Sequence, residues 1–294
     1  MGKMVIDEAF LSELEALETV LKNNIAGMFG GNHKSKTFGS SCDFADYREY
    51  REGDDVNKID WKIYARSDKL FQKLYLDERQ MHTKIYIDAS RSMDYLSAGK
   101  AEQAIQLAAA IAYISVNEMN KVSIYAIKNS EIVELVSPTV GKDLFFERIL
   151  ALNDVEFGGE SCISEAILPS AVGMGDGMSI IISDFLTDTD FEKAIDHLIS
   201  KRRDVFCIQV LANDELNPQF MGKKHLFDSE DINKIYKKNI DRDIIKAYRA
   251  ALEYATGRIR EYCMSRGASY LLVSAEDNIA EVLFGGFEDV GVIK

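Results

Sequence analysis

The chain has 294 residues, 47% of them hydrophobic, which is enough for one large domain or for one domain with a smaller appended region. Its formal net charge of −13 and its pI near 4.9 argue against nucleic acid or an anionic lipid surface as the main partner, because both attract cationic patches. No apolar run approaches the roughly 18 to 20 residues that span a bilayer, so we expect no direct membrane span.

The N-terminus and the cysteines favour a cytoplasmic location. The chain turns acidic at Asp7 and Glu8 and lacks the apolar segment of a signal peptide. Its cysteines are far apart in the sequence, which favours neither disulfides nor a zinc site: Cys42, Cys162, Cys207 and Cys263. We therefore expect a protein of a reducing, cytoplasmic environment.

Residues 1–80 are predicted to form an N-terminal helix followed by an appended region rich in aromatic and paired charged residues. Apolar residues recur at helical spacing over 6–22, and a strand is predicted near 69–76. Between these segments, arginines alternate with acidic residues, which indicates ion pairs rather than an anion site. Trp61 is expected to lie in the core of this region.

From residue 83 onward the sequence alternates between short apolar strands and helices. The predicted strands cover 84–88, 122–128, 131–136, 178–184, 205–211 and 269–274, and the predicted helices cover 98–119, 141–152, 161–172, 189–201, 240–266 and 277–284. Strands that are apolar on both faces are typical of a parallel sheet covered by helices. Residues 81–294 are thus predicted to form one α/β domain with a doubly wound, mostly parallel six-stranded sheet.

Three further segments of this domain carry local predictions. Asn129 and Ser130 lie between two strands and predict a tight hairpin, which makes 131–136 an antiparallel edge strand. The stretch 212–239 is polar and is interpreted as an irregular surface excursion. The helix that begins near residue 240 carries an apolar stripe that predicts packing against the sheet.

Three oxygen-bearing side chains follow the first strand of this domain. Asp88, Ser90 and Ser92 alternate along the chain just past a buried strand, so they are expected to point to one side. A carboxylate and two hydroxyls suit a hard cation such as Mg²⁺, or Mn²⁺, that keeps several water ligands. The spacing therefore predicts a metal site.

Two later residues are expected to complete this site. Ser161 follows a Gly-Gly turn, and Asp184 ends another apolar strand. In doubly wound sheets, ligands bind at the carboxyl ends of the strands where the strand order reverses. If the strands that end at Asp88 and Asp184 are neighbours, all five side chains meet in one crevice.

Two alternatives compete with a metal-dependent interaction site. In the first, the five residues only cap loops and helices and bind no metal. In the second, the chain is a Mg²⁺-dependent hydrolase or phosphoryl-transfer enzyme, which would need a general base or nucleophile beside the cation. The usual sequence signatures of such enzymes are absent, so we expect a protein that is not an enzyme.

The run from residue 83 resembles the von Willebrand factor type A domain. That family combines Asp-x-Ser-x-Ser, a hydroxyl in a Gly-Gly-x-Thr loop and an aspartate after an apolar strand, in a metal-ion-dependent adhesion site. These positions match Asp88, Ser90, Ser92, Ser161 and Asp184, with serine at 161 in place of the usual threonine. The resemblance implies a module that binds a partner's Asp or Glu carboxylate through Mg²⁺ or Mn²⁺.

Residues from about 38 to 275 also resemble the bacterial family called domain of unknown function 58. The matching segments are Arg48-Glu49-Tyr50, Gly53-Asp54-Asp55, Ile59-Asp60-Trp61, Ala65-Arg66 and Leu226 to Glu230. Members of that family are encoded beside MoxR-type AAA ATPases and transglutaminase-like proteins. This resemblance implies a chaperone-like or assembly role with an ATPase of that type as a partner.

Overall fold

The structure is a computed structural model that describes residues 5–24, 44–51, 54, 56–75, 81–97, 99–170, 175–186, 190–227 and 235–286. Of the segments that carry the resemblance, Gly53, Asp55 and residues 228–230 lie outside this part. The described residues between 27 and 80 belong to one compact unit, and those of 1–26 and 81–294 belong to a second.

The helices and strands follow one another in this order. The first elements are α1 (Glu8–Asn24), β1 (Phe44–Glu49), α2 (Trp61–Ser67), β2 (Phe71–Tyr75), β3 (His82–Asp88), α3 (Lys100–Asn117), β4 (Lys121–Lys128), β5 (Glu131–Thr139) and α4 (Lys142–Ile149). The later ones are α5 (Ile163–Ile167), β6 (Gly177–Ser183), α6 (Phe191–Ser200), β7 (Arg203–Leu211), α7 (Asn213–Leu216), β8 (Gly222–Phe227), β9 (Ile235–Ile240), α8 (Arg242–Arg266), β10 (Ser269–Ser274) and α9 (Ile279–Glu281).

The larger unit is built on a six-stranded sheet with the strand order β10-β7-β6-β3-β4-β5. All neighbouring strands are parallel except β4 and β5, which form an antiparallel hairpin. The hairpin turns at Asn129, whose φ of 54° is the left-handed conformation that tight turns use. The predicted α/β class, the six strands and the antiparallel edge strand are therefore confirmed.

Helix α3 packs on the central strands β3 and β4 and is buried along most of its length. Its apolar residues recur all round the helix, and 14 of its residues are buried, which is why it can lie inside the fold. Burying each large aliphatic side chain contributes about 1.5 to 3 kcal/mol. The helix thus fixes the position of its own first residue, Lys100, beside the sheet.

Helix α1 belongs to the same unit as the sheet. Ile6 and Leu14 are fully buried, and the Asn153 side chain accepts hydrogen bonds from the backbone N–H groups of Val5 and Ile6 at 2.9 and 2.8 Å. Sequence analysis assigned this helix to the appended region. The predicted domain division near residue 80 stays a prediction.

The smaller unit pairs β1 with β2 in an antiparallel ribbon, and α2 lies between them in sequence. Asp60 caps α2 by accepting from Lys62 N at 2.8 Å, and it also forms an ion pair with Lys73 at 3.2 Å. Arg48 and Asp54 form a second ion pair at 2.8 Å. The predicted paired charges are present, but Trp61 is 60% exposed, so its expected place in the core was wrong.

Two expectations for the C-terminal third are met only in part. The polar stretch 212–239 contains α7 and an antiparallel ribbon of β8 and β9, although its strands lack a clear apolar face. In α8 the buried residues are Ile259 and Cys263, and Tyr248 is exposed. The other residues of the predicted stripe are partly buried: Ile245, Leu252, Ala255 and Tyr262. The predicted stripe therefore lies on the less exposed side of the helix, and it is fully buried only near the last turns. Among the described helices, none is both long enough and apolar enough to cross a bilayer.

Candidate functional site

The Asp-x-Ser-x-Ser segment turns sharply at the carboxyl end of β3. Ala89 N donates to Ile127 O of β4 at 2.8 Å, which extends the strand pairing by one residue. Asp88 Oδ1 then accepts from Ser90 N at 3.0 Å, a local bond typical of aspartate-initiated turns. As a result the Oγ atoms of Ser90 and Ser92 lie 3.1 Å apart, and both side chains are buried.

The loop that carries Ser161 is hydrogen-bonded directly to this turn. Gly158 N donates to Ala89 O at 2.8 Å, and Arg91 N donates to Gly159 O at 3.1 Å. Ser161 Oγ donates to Asp88 Oδ2 at 2.7 Å and is 1% exposed. The two segments are far apart in sequence, and these three bonds bring their hydroxyl and carboxylate groups into contact.

Asp184 arrives from the neighbouring strand. Strands β3 and β6 are adjacent and parallel, with Ile87 paired to Ile182, so Asp88 and Asp184 both lie at the same edge of the sheet. Asp184 is fully buried, and its Oδ1 accepts from Leu186 N at 3.2 Å. In the strand order, β3 is followed along the chain by β4 on one side and β6 by β7 on the other, so this edge is the point where the strand order reverses and where doubly wound sheets bind ligands.

Ser183, the residue before Asp184, is a contact that the sequence analysis did not identify. Its Oγ donates to Asp88 Oδ2 at 2.6 Å and accepts from Phe185 N at 3.0 Å. It is fully buried. A serine at the last position of a strand that neighbours β3 was the available signal, but which strand lies beside β3 depends on the tertiary fold.

Burial dominates the electrostatics of Asp88. Loss of solvent raises the pKa of the Asp88 carboxyl, and the nearby Asp184 charge raises it further. Hydrogen bonds from Ser183, from Ser161 and from the Ser90 N–H act in the opposite direction and do not overcome these two effects. Two carboxylates are thus held close together away from water, an arrangement that a cation would stabilise.

A buried lysine faces the second carboxylate. Lys100 Nζ donates to Asp184 Oδ2 at 3.0 Å and to Glu215 Oε1 at 2.9 Å. Burial opposes the charged ammonium, but the charges of Asp184 and Glu215 outweigh it and raise the pKa of Lys100. Lys100 and Glu215 were not among the predicted site residues, although a lone lysine at the start of an otherwise apolar helix was a usable signal.

The structure brings all five predicted site residues to one edge of the sheet. Hydrogen bonds connect Asp88, Ser90, Ser92 and Ser161, and Asp184 follows the end of the adjacent parallel strand β6. The alternative of simple caps accounts for the bonds from Ser90 N and Leu186 N. The metal-site interpretation rests on the two buried carboxylates and three buried hydroxyls that lie at one edge of the sheet.

The oxygen atoms present suit a hard cation such as Mg²⁺. Adjacent ligands of an octahedral ion at about 2.1 Å are separated by about 3.0 Å, close to the 3.1 Å between the Ser90 and Ser92 hydroxyls. Within the described part of the chain, no group of three or more His, Cys, Asp or Glu could hold a metal. The donor set would therefore be hydroxyls with two carboxylates, which favours Mg²⁺ or Mn²⁺ over zinc.

Solved structures similar to this chain include an aerotolerance-related membrane protein from Bacteroides fragilis, at 14% identity and a TM-score of 0.43, over 72% of this chain and 96% of that one. A von Willebrand factor type A structure from Catenulispora acidiphila aligns at 10% identity and a TM-score of 0.42, over 75% of this chain and 43% of that one. The fold itself is assigned from the strand order.

Sequence comparison identifies the family. An uncharacterized protein of Mycobacterium tuberculosis (strain ATCC 25618 / H37Rv) is 26% identical over 232 residues, which is 76% of this chain and 72% of that protein. The family model described as protein of unknown function DUF58 matches residues 46–259, well over half of the chain. The chain therefore belongs to the DUF58 family, as its sequence signature predicted.

Proposed function

We propose that the chain is a protein-interaction module that binds a partner's carboxylate through a divalent cation, Mg²⁺ or Mn²⁺, held by Asp88, Ser90, Ser92, Ser161 and Asp184. The observation that carries this proposal is the cluster of buried hydroxyls and carboxylates at the carboxyl edge of β3 and β6. A bound cation of this kind supplies an open coordination position for an external carboxylate.

The residues of the chain prepare this position in different ways. Ser90 and Ser92 present neutral hydroxyl oxygens, which leave more of the cation's charge for an external ligand than carboxylates would. Asp88 accepts hydrogen bonds from Ser161 and Ser183 and so orients the surrounding hydroxyls. Both carboxylates have their oxygen atoms engaged by hydrogen bonds, which favours contact with the cation through water molecules.

The partner that we propose is a MoxR-type AAA ATPase that contributes an exposed Asp or Glu. This identification follows from the family resemblance, and the charge of the site adds a physical requirement. The partner's carboxylate would meet the buried carboxylates of Asp88 and Asp184, and like charges repel each other, so the cation would be needed between them. The association should accordingly disappear when divalent ions are removed.

The test is a pull-down from native extract in millimolar Mg²⁺ or in excess EDTA, with mass spectrometry of the retained proteins. Wild type is compared with Ser92→Ala, which removes one hydroxyl at a site that is 8% exposed, and with Ser200→Ala, an exposed serine far along the chain. A MoxR-type ATPase retained by wild type and Ser200→Ala only with Mg²⁺, and lost in Ser92→Ala, supports the proposal. The same retention in every condition contradicts it.

The alternative of a Mg²⁺-dependent hydrolase or phosphoryl-transfer enzyme has a separate test. Hydrolysis of p-nitrophenyl phosphate is measured with wild type and Ser92→Ala at equal protein concentration. An interaction module gives the same background rate for both proteins with and without Mg²⁺. A Mg²⁺-dependent rate that Ser92→Ala abolishes would favour the enzyme.

A further inference from the structure

Lys100 joins three segments at the candidate site. It is the first residue of α3 and is 2% exposed. Its ammonium contacts Asp184, which follows β6, and Glu215, which lies in α7 after β7. Glu215 Oε2 also accepts from Ala212 N at 2.8 Å, so the carboxylate is fixed to the end of β7 as well as to Lys100.

The two carboxylates around Lys100 differ in their surroundings. The Asp184 side chain is 1% exposed, whereas that of Glu215 is 30% exposed. Asp184 belongs to the five predicted site residues, while Glu215 does not. The ammonium is thus placed between a carboxylate that would serve the cation and a carboxylate at the edge of solvent.

A divalent cation and the Lys100 ammonium would both be attracted to Asp184. Because the two are positively charged, each weakens the attraction of the other to that carboxylate. Glu215 opposes this competition, since it neutralises the ammonium from the other side. These attractions and repulsions between charges are strong at a buried site, because little water is present to screen them.

We propose that Lys100 and Glu215 form a charge pair that sets the affinity of the site for divalent cations, with Lys100 lowering it and Glu215 raising it. This inference rests on the proposed function, because it concerns the cation that the five residues would hold. In this role Lys100 is a positioning residue: it holds Asp184 Oδ2 and keeps that oxygen from the cation.

The test measures Mn²⁺ binding by electron paramagnetic resonance titration of wild type, Lys100→Met and Glu215→Gln. We expect Lys100→Met to bind Mn²⁺ about tenfold more tightly and Glu215→Gln about fivefold more weakly, as expected for removal of single charges close to a dication. Lys121→Met is the matched control, because it removes a positive charge at the amino end of β4, on the opposite edge of the sheet. It should change the affinity less than about twofold.

The opposite directions of the two changes in Mn²⁺ affinity distinguish this role from a purely structural one. If Lys100 and Glu215 served only to hold the fold, both substitutions would weaken Mn²⁺ binding or leave it unchanged. Lys100→Met leaves Asp184 without its counter-ion, so its thermal midpoint without metal should fall. The increase in the thermal midpoint of Lys100→Met on addition of Mn²⁺ should exceed the increase in wild type. A Lys100→Met protein that is folded and binds no more tightly than wild type overturns the inference.

Two further results keep the inference separate from the proposed function. If Lys100→Met does not fold even with Mn²⁺, Glu215→Gln decides, and unchanged or tighter binding by that variant overturns the inference. If Lys100→Met binds Mn²⁺ while wild type does not, the inference stands and the proposed function fails. If no protein of the set binds Mn²⁺, both fail.

Discussion

Replacing Ser183 by alanine should destabilise the fold through the Asp88 carboxylate. The Ser183 hydroxyl donates to Asp88 Oδ2 at 2.6 Å and accepts from Phe185 N at 3.0 Å, with both side chains fully buried. A hydrogen bond to a charged group contributes about 1.5 to 3 kcal/mol, and an unsatisfied buried N–H costs about 1 to 3 kcal/mol. Because the two effects are not independent, we expect the free energy of unfolding to fall by about 3 kcal/mol.

The pH dependence of this loss identifies its cause. The Asp88 pKa is already raised by burial, and losing the Ser183 bond, which lowers it, should raise it further. A raised pKa in the folded state means that protonation favours folding, so the difference between Ser183→Ala and wild type should shrink as the pH falls toward the ordinary range of a carboxyl. A loss of packing alone would not change with pH.

The assay is urea unfolding in EDTA at pH 7.5 and pH 5, followed by circular dichroism. Ser200→Ala is the control, since Ser200 is exposed and its hydroxyl donates only to His197 O. That variant should lie within about 0.5 kcal/mol of wild type at both pH values. A decrease below about 1 kcal/mol for Ser183→Ala at pH 7.5, or one that does not change with pH, would refute the reasoning.

Three further predictions concern other parts of the same unit. Burial and neighbouring cationic side chains lower the pKa of His82 to about 4, so the free energy of unfolding should fall by about 2 kcal/mol as the pH drops from 6.5 to 4. In urea titrations, His82→Gln should reduce this dependence of stability on pH, and an unchanged dependence contradicts the prediction. Arg203→Met removes donors to the carbonyls of His82 and Gly175 and should lower the free energy of unfolding by about 3 kcal/mol or more; a loss below about 1 kcal/mol contradicts it. Gly159 has a φ of +80°, and a Cβ there would lie 2.2 Å from Asn129 Oδ1. Gly159→Ala should therefore displace the loop of Ser161 and weaken Mn²⁺ binding about tenfold, and an unchanged affinity contradicts this prediction.

The sheet could be predicted from the sequence because its strands are short apolar runs. β6, with its consecutive isoleucines, is buried along its whole length, as a central parallel strand must be. The positions of Asp88 and Asp184 follow from the same reasoning, since residues at the carboxyl ends of adjacent parallel strands lie at one edge. The hairpin at Asn129 follows from local turn chemistry.

What could not be predicted depends on which segments meet in three dimensions. The sequence does not show which carboxylates lie beside Lys100, because its two partners follow the ends of β6 and β7, which become neighbours only in the folded chain. Strands β8 and β9 are rich in lysine and lack an alternating apolar face, so periodicity does not reveal them. Tyr248 of α8 belongs to the apolar stripe that the sequence assigns to the core, but it is exposed.

The most direct test of the central claim is Mn²⁺ binding by the wild-type chain and by Ser90→Ala, measured by electron paramagnetic resonance titration with Ser200→Ala as the control. The account predicts that wild type and Ser200→Ala bind about one equivalent, and that Ser90→Ala, which loses a hydroxyl 3.1 Å from that of Ser92, binds at least about tenfold more weakly while its circular dichroism spectrum is retained. If Ser90→Ala is folded and binds Mn²⁺ as wild type does, or if wild type binds none, the five residues do not hold a cation in the wild-type chain.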